Sequence, residues 1–392
     1  MEIVSGFHFN GVASGIKKKG ERDLGLVYSE VPAVAAGMFT TNRVKAAPVL
    51  ISMERISKGV AQALLVNSGN ANACTGENGL DAARKLSGYL AKRIGVKEEM
   101  VLPSSTGVIG VPLPVEKVRE GIPALVEGLS PHKIDDFADA ILTTDTFRKV
   151  VRGDVAIGGK QVRVWGVAKG AGMIMPDMAT MLSYLVSDVA VEPLILKALL
   201  KEGVDGSFHR ITIDGETSTN DAVIMLANGM SGNPMLSRHS TGLRRFRDCL
   251  FKVLGDLSQM VVQDGEGASK LVEIRVEKAR SGGEARAAAF AVANSPLVKT
   301  ALFGEEVNWG RIMAALGRCG ASIDANTIDI SFGGVQVARN GVACGSEEEA
   351  GMVLKQRRIR IVISLNRGRG SFQVSTTDLT PQYVALNSSY RS

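Results

Sequence analysis

Lys169-Gly-Ala-Gly-Met-Ile-Met-Pro-Asp-Met-Ala-Thr180-Met-Leu-Ser183 lies near the middle of the 392 residues, and its reading decides the rest. A glycine-rich loop runs into a small residue, Ala179, then a threonine, then an apolar run over residues 181–189. Gly170 and Gly172 admit backbone angles closed to other residues, so the chain can turn sharply before Thr180. Pro176 stiffens the approach and biases Met175 towards an extended conformation. The run after Thr180 is short and apolar and reads as a buried strand. A hydroxyl at the head of such a strand has a chemical use. If the Ala179–Thr180 peptide is cut, the new α-amino group of Thr180, with a pKa of roughly 7.7–8.0, can take the proton of its own hydroxyl. An ordinary loop leading into a core strand fits the same pattern, so both readings stay open on this stretch alone.

Working outward, strand-like and helical segments alternate on both sides. Upstream, residues 24–28, 63–67 and 162–167 are β-type runs. Leu80, Ala83, Leu86, Leu90 and Ile94 form one helical stripe, and Val115, Val118, Ile122 and Leu125 another; a third helix is expected near 134–142. Asn67-Ser-Gly-Asn-Ala-Asn-Ala-Cys74-Thr-Gly76 is small and polar and reads as a shaped loop. At residues 101–111 a strand is expected to break into a Ser/Thr/Gly loop around Thr106 and Gly107.

Downstream, the spacing predicts a helix over 192–202, a strand over 222–227, a long helix over 241–263 and an alternating half-buried strand over 271–277. Helices over 284–293 and 297–303 lead to a β-rich end at 327–337, 359–365 and 370–375. The tail after Thr380 reads as ordered, because Tyr383, Val384 and Leu386 need a surface. This alternation predicts α/β layers, not a helical bundle or a β-sandwich.

At 41.5 kDa the chain is long enough for two or three domains and for a large core. The net charge of +6 is dispersed except for Lys17-Lys18-Lys19 and the arginines at 357, 358 and 360. Such runs serve as solvated faces or as guides for anionic substrates. With 5% aromatic residues and no nucleic-acid module, a nucleic-acid partner is not expected. Cys74, Cys249, Cys319 and Cys344 lie far apart, which provides neither a disulfide framework nor a zinc site. No run approaches the roughly 18 apolar residues of a membrane span, and the N-terminus shows no basic leader with an apolar core. The expectation is a cytoplasmic protein without membrane contact, metal or bound cofactor.

Acyl transfer needs a nucleophile, a base and preorganised donors for the oxyanion. Thr180, once cleaved, supplies the first two. Thr106 and Gly107 offer a hydroxyl beside an unhindered N–H, as an oxyanion site or as a plain turn. Lys169 and Glu266 suit a substrate carboxylate and ammonium, and Asn387 and Ser392 offer neutral polar contacts; each also fits an ordinary surface residue. His8, His132, His209 and His239 accompany no Ser or Cys motif, which disfavours a Ser–His–Asp enzyme. No GxGxxG or GxxxxGK[ST] follows a strand, which argues against dinucleotide and P-loop enzymes.

The central stretch closely resembles the processing site of the ornithine acetyltransferase family, the bifunctional glutamate N-acetyltransferases of arginine biosynthesis. Asn67 to Gly76, Ser105-Thr106-Gly107-Val-Ile-Gly110, Thr143-Thr-Asp-Thr146, Asp214-Gly-Glu-Thr-Ser-Thr-Asn-Asp221, Gly265-Glu266-Gly267 and Asn308-Trp-Gly-Arg311 resemble further landmarks, in family order over essentially the whole chain. Arg148 stands where proline is expected, and Glu216 replaces a common aspartate.

The resemblance implies self-cleavage into an α chain, residues 1–179, and a β chain, 180–392, which stay together and pair as α2β2. It implies sheets sandwiched between helices in a fold related to N-terminal-nucleophile aminopeptidases. The nucleophile falls on Thr180, the oxyanion pair on Thr106 and Gly107, and substrate binding on Thr143, Lys169, Thr180, Glu266, Asn387 and Ser392. The implied reaction moves acetyl from N2-acetyl-L-ornithine to L-glutamate, with acetyl-CoA as an optional second donor. An aminopeptidase or amidohydrolase sending the acyl group to water is the enzymatic alternative; an uncleaved binding protein is the non-catalytic one.

Overall fold

Two sheets organise the chain in the computed structural model, which describes residues 3–18, 20–175 and 181–389. The first two-thirds runs β1 (Phe7–Val12), β2 (Leu24–Phe39), α1 (Ala47–Ile56), β3 (Val60–Asn70), α2 (Gly76–Ile94), β4 (Val101–Val108), α3 (Val115–Glu127), α4 (Ile134–Ile141), β5 (Lys149–Ile157), β6 (Lys160–Lys169), β7 (Leu182–Ser187), α5 (Pro193–Gly206), β8 (Ala222–Ala227) and α6 (Leu243–Gln263). The rest runs β9 (Leu271–Ala279), α7 (Gly282–Ala293), α8 (Pro296–Phe303), α9 (Trp309–Gly317), β10 (Asp329–Phe332), β11 (Val335–Arg339), β12 (Val342–Ala343), α10 (Glu347–Leu354), β13 (Arg358–Ser364), β14 (Gly370–Thr377) and α11 (Pro381–Ser389).

The larger sheet has the order β4-β3-β2-β8-β7-β6-β5, with β1 paired to the first half of β2. Its β3–β4 and β7–β8 neighbours are parallel and the others antiparallel. Alternate residues face opposite helix layers. Leu24 and Leu26 pack with Leu86, Leu90, Val118 and Ile122 of α2 and α3. Val27, Trp165, Tyr184 and Ile224 pack with Phe137 and Ile141 of α4 on the other side. Further along, Val164, Leu185, Val223 and Met225 meet Leu199, Phe246, Leu250 and Leu257 of α5 and α6. Strands β7 and β8 are buried on both faces, which is why they read as unbroken apolar runs.

The smaller sheet has the order β12-β11-β10-β13-β9-β14. One face, with Val272, Ile274, Val276, Ile361 and Ile363, packs on helices that include α7 and α9. The other carries Glu273, Arg275, Arg358 and Arg360, so its strands show the clean alternation of a half-solvated sheet. The α/β layering and the covered faces of the larger sheet agree with the expectation.

Several local expectations are corrected. Residues 67–70 belong to β3, and residues 104–108 continue β4. Both stretches are polar, and their side chains find buried partners that allow a strand. The Tyr184 hydroxyl donates to Ser104 Oγ at 2.6 Å, Ser105 Oγ donates to Asn67 Oδ1 at 2.6 Å, and Ser68 Oγ donates to the Ala140 carbonyl at 2.6 Å. Strands β5 and β12 and helices α9 and α10 lie where no element was expected, and helix α1 interrupts the first 70 residues, which read as strand-like and turn-rich. Helix α1 begins with Pro48 near its N-terminus and carries too weak a stripe to stand out in the sequence.

Residues 179 and 180 lie between β6 and β7, which are hydrogen-bonded neighbours from Val164↔Ser187 to Lys169↔Leu182. The two segments 1–179 and 180–392 therefore share the larger sheet: β8 and β7 are inserted between β2 and β6. Among the described residues no helix is long and apolar enough to cross a membrane.

Candidate active site

At one end of the larger sheet an open cavity of about 130 Å³ is lined by Thr106, Gly107, Thr143, Lys169, Glu266 and Asn387, together with Gly172, Met173, Asp214, Glu216, Ser218, Asn220 and Tyr383. Six residues singled out from sequence thus meet in one place, though they come from segments up to 281 positions apart (Thr106 to Asn387). Ala179, Thr180 and Ser392 lie outside the described residues. Met181, which follows the expected nucleophile in sequence, donates its N–H to Asp221 Oδ1 at 2.9 Å. Asp221 is buried, and desolvation pushes its carboxyl well above the usual range, opposed by the Met181 N–H and the charge of Lys169.

Thr106 and Gly107 stand near the end of β4, where its parallel pairing with β3 slips at Gly69 and Asn70. Gly107 has φ 131°, and a Cβ there would sit 2.3 Å from the Gly69 carbonyl carbon and 2.5 Å from the Asn70 nitrogen. Only glycine satisfies both demands. Asn220 locks the same corner: its Nδ2 donates to the carbonyls of Ser105 at 2.8 Å and Ala71 at 2.7 Å.

Lys169, the last residue of β6, is 3% exposed. Its ammonium donates to Thr143 Oγ1 at 2.7 Å and to Thr106 Oγ1 at 3.3 Å. Asp145 Oδ2 lies 4.0 Å away. Burial pushes the Lys169 ammonium below the usual lysine value, and Asp145 opposes that shift. For Asp145 burial alone would push the carboxyl up; Lys169, Lys149 and the Gly170 N–H outweigh it and bring it to about 2.

Glu266 follows α6 in a turn whose backbone is held to the loop after β6, its N–H donating to the Ala171 carbonyl at 2.8 Å. Asn387 of α11 donates to Glu266 Oε2 at 2.8 Å. A Cβ on Gly172 would lie 2.4 Å from the same carboxylate oxygen, so glycine at 172 leaves room for Glu266. Helix α11 is fastened over the cavity by Tyr383, whose hydroxyl donates to Asp214 Oδ2 at 3.1 Å. Asp214 also accepts the N–H groups of Met173 and Ile174 at 2.6 and 2.9 Å.

Sequence reasoning assigned no role to Asp145, Asp214, Asp221 or Tyr383. Three of them sit inside quoted motifs, Asp145 in the middle of Thr144-Asp-Thr146 and Asp214 and Asp221 at the two ends of residues 214–221; Tyr383 is marked only as a side chain that needs a surface. Among the described residues no three His, Cys, Asp or Glu side chains gather as metal ligands. The lining instead presents buried hydroxyls, one ammonium, the carboxyl groups of Asp214, Glu216 and Glu266, and a glycine N–H, a set suited to orienting a small zwitterion and receiving a negative oxygen.

The model of the ArgJ family matches residues 8–392. The chain is 49% identical over 391 residues to the arginine biosynthesis bifunctional protein ArgJ of Geobacter sulfurreducens, covering 99% of this chain and 100% of that protein. It is also 49% identical to the protein of the same name from Desulfotalea psychrophila, with both chains covered completely. Among solved structures, an arginine biosynthesis bifunctional protein ArgJ from Bacillus halodurans is 36% identical with a TM-score of 0.50, over 52% of this chain and 96% of that one.

Proposed function

This chain belongs to the ArgJ family, and on that premise we propose that it transfers the acetyl group of N2-acetyl-L-ornithine to L-glutamate, releasing L-ornithine and N-acetyl-L-glutamate. It is a glutamate N-acetyltransferase, an acyltransferase of arginine biosynthesis that matures by autocatalytic cleavage. The observation that carries the site reading is the meeting of Thr106, Gly107, Thr143, Lys169, Glu266 and Asn387 around one cavity at the sheet end where β6 stops and β7 starts.

Cleavage between Ala179 and Thr180 frees the Thr180 α-amine. That amine removes the hydroxyl proton as Oγ1 attacks the acetyl carbonyl. The Thr106 hydroxyl and the Gly107 N–H hold the tetrahedral oxygen. The carbon–nitrogen bond then breaks, the α-ammonium returns its proton to the leaving ornithine amine, and an acetyl ester remains on Thr180. The neutral α-amine of glutamate attacks that ester, the proton it loses passes through the Thr180 α-amine to the departing Thr180 alkoxide as the carbon–oxygen bond breaks, and N-acetylglutamate leaves. Lys169 and Thr143 receive the α-carboxylate common to both substrates, Glu266 receives the δ-ammonium of ornithine with Asn387 beside it, and Ser392 completes the contacts.

The larger sheet supports association of the two products. Residues 1–179 carry β1–β6 and residues 180–392 carry β7–β14, with β7 and β8 between β2 and β6. Exposing Leu182, Leu185, Val186, Val223, Ile224 and Leu226 at about 1.5–3 kcal/mol each would cost on the order of 10 kcal/mol. On this reading the chains stay together, pair as α2β2 and work in the cytoplasm. The matched Bacillus halodurans chain spans about half of this one, the share that one product would have.

Intact mass under denaturing conditions, before and after N2-acetylornithine, tests the proposal. Two chains are expected, the second beginning at Thr180 and gaining one acetyl group, and glutamate should discharge it in ping-pong kinetics. An intact chain that gains nothing, or an acetyl group passed to water irrespective of glutamate, overturns it. Acetyl-CoA is the second donor this reading admits, and acetylation of the β chain by acetyl-CoA alone is its test.

Glu266→Gln is expected to lower kcat/KM for acetylornithine by about 10- to 100-fold, the worth of one charge-assisted bond to the δ-ammonium. Deacylation by glutamate, which has no such ammonium, should change less than 3-fold or so. Separate half-reaction rates check this.

A further inference from the structure

Behind the cavity wall lies a buried cluster of charges that the mechanism above does not use. Asp145 Oδ1 accepts from Lys149 Nζ at 2.7 Å and from the Gly170 N–H at 2.7 Å, and Oδ2 accepts the Thr143 N–H at 3.1 Å. Lys149 also donates to Asp264, which in turn accepts the N–H and hydroxyl of Thr146. The side chains of Asp145 and Lys149 are fully buried and that of Asp264 almost so. Asp145 does not line the cavity; Thr143, Thr144 and Lys169 stand between.

Two features give this placement a consequence. Lys169 has three N–H donors, of which one goes to Thr143 Oγ1 and one to Thr106 Oγ1. A hydroxyl that accepts from an ammonium keeps its own proton for another acceptor and gives it up more readily. A cation buried to this degree also needs a compensating negative charge, or it discharges. The groups facing Lys169 are Asp145 before β5, Lys149 on β5, Asp221 before β8, Glu266 after α6 and Lys17 in the loop between β1 and β2. Of the carboxylates, Asp145 exerts the strongest pull.

We propose that Asp145 is a positioning residue of the acetyl-transfer site, holding Lys169 as a cation between Thr143 and Thr106 so that the Thr106 hydroxyl directs its proton at the substrate oxygen. This rests on the transferase reading above. Asp145 also ties the Thr143 backbone to Gly170, so the loop after α4 and the turn after β6 move as one wall.

The test is the pH dependence of kcat/KM for acetylornithine in wild type, Asp145→Asn and the charge-balanced double variant Asp145→Asn/Lys149→Met. In wild type the acid limb belongs to the Thr180 amine, which must be neutral, and the alkaline limb to Lys169, which must be charged. Removing the negative charge at 145 favours the neutral amine of Lys169, so the alkaline limb is expected to move to lower pH by at least about one unit, with a fall of about 10-fold or more above it. The acid limb should stay within a few tenths of a unit or so.

A folded Asp145→Asn protein whose alkaline limb stays at the wild-type pH overturns the proposal, as does a uniform loss at every pH; the double variant, which also removes the opposing Lys149 cation, should shift less than Asp145→Asn, and a double variant that shifts as far or further overturns it too. Failure of both variants to fold assigns Asp145 to the fold alone and overturns it equally. The transferase reading fails separately: wild type that forms no acetyl-enzyme removes the function, whereas wild type that does so beside an unshifted variant removes only this inference.

Discussion

Thr180→Ala is expected to leave a single chain of 41.5 kDa, with no acetyl-enzyme and a loss of transfer of at least about 10³-fold. One hydroxyl is asked to do two things. On the proposed mechanism it attacks the preceding carbonyl to start the cleavage, and in the mature protein it attacks the acetyl group with its own new amine as base. Alanine removes both functions, so chain count and acetylation should vanish together. Thr180→Ser keeps the hydroxyl and should retain both at reduced rate. The pair of variants separates chemistry from packing, since a defect caused by the entry to β7 would affect Ser as much as Ala. The described neighbours favour the chemical reading: Met181 is held by Asp221, and β6 pairs with β7 to Lys169↔Leu182, so the entry to β7 is fixed by other residues' bonds. An alanine variant that is cleaved and active sinks the mechanism; gel mobility and intact mass decide it.

What was legible in the sequence follows from where the physics is local. The stripes of α2, α3 and α6 and the apolar runs of β7 and β8 were readable because burial on a regular element leaves a period. The polar halves of β3 and β4 were read as loops because their strand character depends on partners elsewhere: Ser104 on Tyr184, Ser68 on Ala140, Ser105 on Asn67. Strand β5 leaves little pattern in the sequence because its inward residues Val151, Gly153 and Val155 are only half-buried and alternate with exposed Arg152, Asp154 and Ala156 at the sheet edge.

The site shows the same division. Gly107 and Gly172 could be noticed as glycines, but the reason each is glycine lies in other segments: the Gly69–Asn70 backbone for one and the Glu266 carboxylate for the other. The Asp145–Lys149 pair is four residues apart and looks like an ordinary surface couple; only the fold shows that both ends are buried and that Asp264 is the third member. Tyr383 was expected to need a surface, and its hydroxyl does meet Asp214, while Val384 and Leu386 on the same helix remain exposed.

Thr106→Val is the sharper test of the oxyanion site. Valine keeps the branched shape that suits β4 and removes only the hydroxyl. Thr106 is 4% exposed and accepts a bond from Lys169, so the change deletes one acceptor for the ammonium and, on the proposed mechanism, one donor to the reacting oxygen. Loss of an oxyanion donor costs about 10²–10³ in the chemical step, and that fall is expected in single-turnover acetylation of the β chain, with KM for acetylornithine within about 3-fold of wild type. Self-cleavage also passes through a tetrahedral oxygen and should slow if it uses the same donors.

Gly107 cannot be tested as cleanly. Its donor is backbone, and an alanine there adds a Cβ 2.3 Å from the Gly69 carbonyl carbon at a φ of 131°, so Gly107→Ala would disturb the β3–β4 pairing along with the N–H. The valine variant leaves that pairing alone. If its acetylation rate stays within about 3-fold of wild type, the oxyanion is stabilised elsewhere, and the role assigned to Thr106 and to the Lys169 ammonium behind it has to be given up.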